Sequence, residues 1–216
     1  GPGALFWMWI VALLGMATAY AESALAQLYK VNDHHGLYRG GPAFYISRGL
    51  KSPWAGAVFS VALLVVFGLV FNAVQANAIA ESFSESFSLD RTQVGVALAV
   101  LSGIVIFGGI RNIARVAEVV VPFMAVAYLG VALWVLVANI DKIPEVFALI
   151  VRSAFGTDQA VGGVVGGMTA AMLNGVKRGL YSNEAGMGSA PNIAAVAIPS
   201  PHHPSSQGFV QALGVF

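Results

Sequence analysis

The sequence predicts an all-α membrane protein, and three observations carry that prediction. Hydrophobic residues make up 57% of the 216 residues, only 10% are charged, and the mean hydropathy is +0.77. A soluble domain of this length carries roughly a quarter charged residues. The charged side chains here fall almost wholly between long apolar runs. Because the hydrocarbon layer of a bilayer holds no water to satisfy backbone groups, such runs cross it as helices.

A helix needs about 20 mainly apolar residues to cross the roughly 30 Å hydrocarbon layer. We predict five spans at about residues 4–28, 54–80, 94–110, 117–138 and 161–176, and a truncated span from about residue 208. The first has no basic region before it and no cleavage-like site after it, which favours a mature span over a signal peptide. The chain begins without an initiator Met and ends in an apolar run. We therefore expect an internal fragment of a longer protein, forming a single transmembrane domain.

The loops between these spans alternate in charge, and the alternation predicts the orientation in the membrane. Loops one and three and the segment after span five hold eight basic residues: Lys30, Arg39, Arg48, Lys51, Arg111, Arg115, Lys177 and Arg178. Loops two and four hold six acidic residues against three basic ones. Since cytoplasmic loops are enriched in Lys and Arg, we expect Gly1 on the outside and the segment from Lys177 to Gln207 in the cytoplasm.

Four tryptophans lie toward the ends of predicted spans, at Trp7, Trp9, Trp54 and Trp134. An indole at that depth keeps its ring in the interface and its N–H in contact with water. We predict that they anchor the helices at the membrane surface. The alternative is that one of them lines a substrate path.

The composition argues against several classes of function. A net charge of +1 and the lack of a Lys/Arg cluster indicate that the protein does not bind nucleic acid. The chain has no cysteine, and its four histidines form adjacent pairs in loops rather than the i, i+4 pair that binds one metal, so no metal site is expected. An intramembrane hydrolase would need a Ser–His pair or paired aspartates inside the spans. Every histidine and aspartate lies in a loop or at a membrane edge, so we do not expect an enzyme.

A stripe of small and amide side chains on span two is the first candidate for substrate binding. Gly68, Asn72, Gln75 and Ile79 are spaced by four, three and four residues, which places them on one face of a helix. Amides both donate and accept hydrogen bonds, which suits a small zwitterionic solute. Alternatively, the two amides bridge neighbouring transmembrane helices. Asn77 lies on another face and is expected to serve only as such a bridge.

The fifth span is short and rich in glycine, with Gly162, Gly163, Gly166 and Gly167, and the apolar stretch before it, residues 144–155, suggests one span that has been broken. Glycine lowers helix propensity by about 1 kcal/mol. A break at mid-membrane frees N–H and C=O groups that can bind a carboxylate or a cation. Alternatively, the paired GxxxG spacings only allow close packing of helices.

Acidic side chains near the predicted cytoplasmic side are candidates for gating. Glu22, with Thr18 one turn before it, lies on the inner third of span one and could sense protons or act as a gate; alternatively, it pairs with Lys30 or Arg39. Glu184 lies in a small, Gly-rich segment and could pair with Arg178 or Lys177 to hold the inner side closed. The alternative is a solvated turn.

These segments together resemble the alanine or glycine:cation symporters, and the resemblance covers essentially the whole chain. The matching segments are residues 1–4 and 6–9, Gly15–Thr18 with Glu22, Gly40–Ile46, Gln75–Ala80, Gly108–Ile110, Val121–Pro122, Lys177–Gly179, Ser182–Gly186 to Pro191, and Gln207–Gly208. The segment ending at Pro191 is the most specific, and the aromatic opening is next.

The resemblance implies a bacterial or archaeal inner-membrane symporter that moves alanine or glycine inward with sodium, or alternatively with protons. It also implies the leucine-transporter-like fold of two inverted five-helix repeats. The five spans would then be helices two to six, with the start of helix seven, and the broken fifth span would be the broken helix six. By the same resemblance, Gln75 and the stretch Val161, Gly162 and Gly163 lie around the bound amino acid. The sodium ligands would lie mostly on helices outside this chain.

The partners expected are therefore a small amino acid, a sodium ion and the lipid bilayer. A channel or a non-transporting membrane subunit is the alternative. A channel needs a continuous polar pore, whereas the polar residues of these spans cluster at one depth.

Overall fold

The computed structural model describes residues 1–33, 37–156 and 163–215, and most of these residues are helical. The α-helices are α1 (Gly3–Leu28), α2 (Pro42–Gly49), α3 (Pro53–Val65), α4 (Asn72–Phe87), α5 (Arg91–Phe107), α6 (Ile110–Ala138), α7 (Ile143–Ala154), α8 (Val164–Asn183), α9 (Ala190–Val196) and α10 (Pro204–Val215). A π-helix (Val66–Phe71) joins α3 to α4, and a 3₁₀-helix (Ile140–Lys142) precedes α7. Strands β1 (Val31–Asn32) and β2 (Tyr38–Arg39) pair antiparallel, with Val31 opposite Arg39.

Several helices have the length and apolar composition that a membrane span requires. In the described part of the chain, three qualify: Gly3–Leu28, Pro53–Phe87 and Asn112–Ala138, and Arg91–Phe107 is a shorter apolar helix. They overlap the first four predicted spans. The structure is thus that of an all-α membrane protein, as the composition predicts.

The chain divides into two compact units. One comprises Gly1–Val65 and Pro144–Phe216, and the other comprises Val66–Ile143. In the first unit, α1 packs against α8, α9 and α10, while α2 packs against α3. In the second unit, α4 pairs with α5, and α5 contacts α6. Asp90 begins α5, because its carboxylate accepts hydrogen bonds from the N–H groups of Thr92 and Gln93 at 2.9 and 3.1 Å.

Glycines set the distance between α1 and α8. A Cβ atom on Gly175 would lie 2.5 Å from both the carbonyl oxygen of Ala4 and the Cβ of Trp7, and one on Gly179 would lie 3.0 Å from Val11. Real Cβ atoms do not approach backbone so closely, so only glycine allows this contact. By contrast, a Cβ on Gly163 or Gly166 would meet nothing within 4 Å. Gly175 and Gly179, one turn apart, therefore form a close contact of the kind that Gly163 and Gly166 do not.

Trp7 shows that one predicted interface anchor has a different role. Its indole N–H donates a hydrogen bond of 3.2 Å to the carbonyl oxygen of Ala154, at the end of α7. Its ring also contacts Phe6 and Phe155 edge-on. The last carbonyls of a helix have no partner within the helix, so Trp7 caps α7 from the side. The prediction that its N–H faces water is wrong, because the N–H donates to a backbone carbonyl at the end of α7 instead.

Candidate functional site

A carboxylate on α1 accepts hydrogen bonds from backbone N–H groups in the turn that follows α8. One oxygen of Glu22 accepts a hydrogen bond from the N–H of Gly186 at 2.5 Å, and the other accepts one from Gly188 at 3.1 Å. Both glycines have left-handed backbone, with φ of 82° and 83°. A non-glycine residue adopts that region at a cost, and turns of this kind form anion-binding concavities. We call Glu22, Gly186 and Gly188 the Glu22 clamp.

The alternative partners expected for Glu22 are engaged elsewhere. Lys30 donates to the side-chain oxygen of Gln27 at 2.7 Å and to the carbonyl of Ala197 at 3.2 Å. Arg39 forms an ion pair with Asp33 at 2.6 Å. A pairing of Glu22 with Lys30 or Arg39 is therefore wrong. The loop after α8 supplies two N–H donors directly at Glu22, whereas both bases follow the end of α1.

Glu184 also forms a different contact from the predicted one. It ends α8 with a left-handed φ of 51°, and its carboxylate accepts a hydrogen bond from the hydroxyl of Ser189. Among the residues that the structure describes, neither Arg178 nor Lys177 forms an ion pair with it. The predicted Glu184–Arg178 pair is wrong because the chain reverses at Glu184 and the carboxylate meets the following turn. That bond closes the turn that carries the Glu22 clamp.

One side of the Glu22 clamp packs against neighbouring residues: Gly188 is buried, while Glu22 is half-buried and Gly186 is exposed. A Cβ on Gly188 would lie 2.5 Å from the ring of Phe59 and 3.0 Å from Pro42, so only glycine fits there. Burial and then the negative charge of Glu22 raise the pKa of Tyr45 to about 12. Tyr45 therefore stays a neutral hydroxyl at physiological pH.

A second polar contact, which the sequence analysis missed, fixes α9 against the end of α1. The amide of Gln27 is buried and donates to the carbonyls of Ala194 and Ala197 at 2.5 and 2.8 Å. Its oxygen in turn accepts from Lys30. The sequence does indicate that these two side chains interact, because Gln27 and Lys30 lie three residues apart at the end of an apolar span. The sequence could not show that their partners are backbone carbonyls more than 160 residues away.

The amide stripe of span two lines a groove between α4 and α5. The groove has a volume of about 400 Å³, and Asn72, Gln75 and Ile79 line it together with Gly95 and Ser102 of α5. Three of the four residues that the spacing places on one face thus share one surface. We call this groove the amide groove.

The two amides in the groove differ in what they can offer a ligand. The side-chain nitrogen of Asn72 donates to the carbonyls of Phe67 and Gly68 at 3.1 and 3.0 Å, within the π-helix. A π-helix shifts the hydrogen-bond register and often marks a functional site. Within the described residues, the amide of Gln75 has no hydrogen-bond partner. Gln75 is therefore the amide whose donors and acceptor are available to a bound solute.

The residues at which the fifth span is expected to be broken lie at the start of α8 and just before it. Helix α7 ends at Ala154, and α8 begins at Val164 after Gly163, which has a left-handed φ of 72°. The N–H of Gly167 bonds to the carbonyl of Gly163 at 3.2 Å, so Gly166 belongs to the regular helix and does not unwind it. Val161 and Gly162 lie outside the described residues. The first N–H groups of α8 have no partner within the helix and carry its positive dipole end.

Taken together, the long apolar helices define a multi-pass helical membrane protein. The chain belongs to the sodium:alanine symporter family, whose model matches residues 1–216. This confirms the resemblance, and the family is one of transporters rather than enzymes.

Curated relatives match the whole chain. It is 52% identical over 215 residues to the "Probable sodium/glutamine symporter GlnT" of Bacillus subtilis, covering 100% of this chain and 44% of that protein. It is 51% identical to the "Amino-acid carrier protein AlsT" of the same species, covering 100% of this chain and 45% of that protein. With the "Sodium/proton-dependent alanine carrier protein" of Bacillus sp. PS3 it shares 44% identity, covering 100% and 47%. The chain thus spans less than half the length of these relatives.

Proposed function

We propose that the full protein is a secondary transporter that couples sodium to the uptake of a small amino acid, alanine or glycine, across the bacterial inner membrane. It works by alternating access in a leucine-transporter-like fold, of which this chain supplies helices two to six and the start of seven. Membership of the sodium:alanine symporter family supports this proposal, as do relatives named as amino-acid carriers.

The observation that carries the proposal is the start of α8 at Val164, directly after Gly163 with its left-handed φ of 72°. Transporters bind substrates and ions where a membrane helix is interrupted, because its free N–H groups meet anionic groups of the substrate. The segment around Gly163 supplies such N–H groups to the amino-acid carboxylate, with Val161, Gly162 and Gly166 as its neighbours in sequence. The amide groove is a second candidate, in which the side chain of Gln75 offers a small zwitterion a donor and an acceptor. Asn72 holds the π-helix in shape beside it.

The Glu22 clamp serves as the gate on the cytoplasmic side, the side to which the Lys and Arg distribution assigns the loop after α8. Hydrogen bonds from backbone N–H to a carboxylate are charge-assisted and worth about 1.5–3 kcal/mol each. Two of them hold a closed state, yet they can be exchanged for water when the gate opens. Glu184 and Ser189 support the same turn, and Arg178 lies exposed on the last turns of α8.

Sodium-driven uptake by the full-length protein tests this function. In liposomes with an inward sodium gradient, we expect labelled alanine to accumulate above its external concentration, and replacing sodium with potassium should abolish the accumulation. Protein-free liposomes are the control. A channel would carry alanine only to equilibrium, with no dependence on the sodium gradient, and that result would reject the symporter.

Gln75→Ala tests the substrate role of the amide groove. Since one hydrogen bond between the Gln75 amide and the substrate is worth about 1.4 kcal/mol, we expect alanine affinity to fall about tenfold when it is lost. The melting temperature should stay unchanged. Asn77→Ala, on an exposed position of the same helix, is the matched control and should leave affinity unchanged. Equal affinities for the Gln75→Ala variant and the unmodified protein, measured by isothermal titration in sodium, would leave Gln75 as a structural residue only.

A further inference from the structure

A groove between α2 and α3 lies outside the substrate and gating elements. It has a volume of about 420 Å³ and is lined by Ala43, Phe44, Ser47 and Arg48 of α2 and by Pro53, Gly56, Ala57 and Ser60 of α3. Gly56 is buried where the two helices meet, and a Cβ there would lie 2.7 Å from the carbonyl oxygen of Ala43. The small residue therefore lets the short helix lie tightly against the long one.

The charge in and around this groove has one sign. Arg48 lies in the lining, Lys51 follows three residues later, and both side chains are exposed. Within the described residues, neither forms an ion pair. The sequence contains no acidic residue between Asp33 and Glu81. Arg48 and Ser47 thus line the groove, and Lys51 adds a second cation three residues after Arg48.

The surroundings of the groove are those of a membrane surface. Helix α3 begins at Pro53, the start of an apolar helix long enough to cross the bilayer. Trp54, in its first turn, is 77% exposed, and exposed tryptophan at the end of a span is typical of the headgroup layer. Val58, Val61 and Leu64 continue along α3 as exposed apolar side chains. A ligand with an anionic head and apolar tails would therefore meet cations at one end and hydrocarbon surface at the other.

We propose that this groove binds the headgroup of an anionic phospholipid, with the phosphate at Arg48 and Lys51 and an acyl chain along α3. Each Lys or Arg near an anionic leaflet strengthens attraction to it. The apolar lining distinguishes a lipid from a free phosphate ion, which would gain nothing from Phe44, Pro53 and Ala57. This inference does not depend on the transported substrate.

Native mass spectrometry of the full-length protein with phosphatidylglycerol tests the site. We expect Arg48→Gln to weaken binding of the tightest lipid about fivefold, the equivalent of about 1 kcal/mol, and Arg48→Gln with Lys51→Gln to weaken it further. Arg115→Gln removes the same charge from an exposed position of α6 and should leave that affinity unchanged. Phosphatidylcholine should bind equally to all three variants.

A second variant separates the lipid from a simple anion. Ala57→Phe fills the groove but keeps both cations, so it should lower phosphatidylglycerol binding while the protein retains its melting temperature. Unchanged lipid affinity in both Arg48→Gln and Ala57→Phe would overturn the proposal. So would displacement of the bound lipid by millimolar inorganic phosphate, since that result would assign the site to a free anion.

Discussion

Replacing Gly175 with leucine in the full-length protein is expected to destroy the contact between α1 and α8 and to leave little folded protein. Even alanine places a Cβ 2.5 Å from the carbonyl oxygen of Ala4, an atom of a helix backbone that cannot rotate away. Overpacking of a fixed contact costs about 1–3 kcal/mol for added methylenes, and more where backbone must move. We expect Gly175→Ala to lower the melting temperature in detergent clearly, and Gly175→Leu to abolish the monodisperse peak in size-exclusion chromatography.

Gly166→Ala is the matched control on the same helix. A Cβ at Gly166 meets nothing within 4 Å, and the position is exposed inside regular helix. Alanine there should be neutral or stabilising by up to about 1 kcal/mol, because it favours helix more than glycine does. If alanine lowers the melting temperature at Gly175 but not at Gly166, the loss at Gly175 is caused by packing and not by helix propensity. Equal melting temperatures for Gly175→Ala and Gly166→Ala would contradict the packing role of Gly175.

Replacing Glu22 with alanine is expected to reduce sodium-driven alanine uptake at least tenfold while the protein remains folded. The substitution removes both acceptors of the Glu22 clamp and leaves the N–H groups of Gly186 and Gly188 without partners. Loss of one charge-assisted hydrogen bond, about 1.5–3 kcal/mol, already shifts a two-state gate more than tenfold toward its open form. Glu22→Gln keeps one oxygen acceptor, so its rate of alanine uptake should lie between those of the Glu22→Ala variant and the unmodified protein.

Thiol labelling tests the proposed gate directly. The 216 residues contain no cysteine, so Met187→Cys places a single reactive group in this part of the chain, between the two clamped glycines. Its reaction with a membrane-impermeant maleimide from the cytoplasmic side should become faster when Glu22→Ala is added. Glu118→Ala, an exposed glutamate on α6, is the control and should leave the rate unchanged. Identical labelling rates with and without Glu22→Ala would show that the carboxylate does not gate the loop.

Periodicity was enough to find the amide groove. The spacing of Asn72, Gln75 and Ile79 follows the turn of one helix, and the structure places all three on one surface. The spacing could not separate the two amides, because the π-helix that occupies the donors of Asn72 depends on local hydrogen-bond register. Only the structure showed that the amide of Gln75, unlike that of Asn72, has no hydrogen-bond partner among the described residues.

Partner choice was where sequence reasoning failed. Glu22 has bases within a few turns along the chain, and pairing with one of them is the local expectation. Its actual partners, Gly186 and Gly188, lie more than 160 residues away and are backbone groups. Likewise, Gly163 and Gly166 belong to the denser glycine pattern, yet Gly175 and Gly179 form the packed contact. A spacing shows which side chains share a face but not which neighbour that face meets.

By itself, the sequence determined the membrane environment, the helical class and the family, because hydropathy, charge and helical period are properties of single segments. The tertiary structure decided the capping of α7 by Trp7, the clamp on Glu22 and the glycines that bring α1 against α8. Those contacts depend on which backbone groups remain without partners at helix ends and on sub-ångström fit between helices. Both arise only when distant segments are packed together.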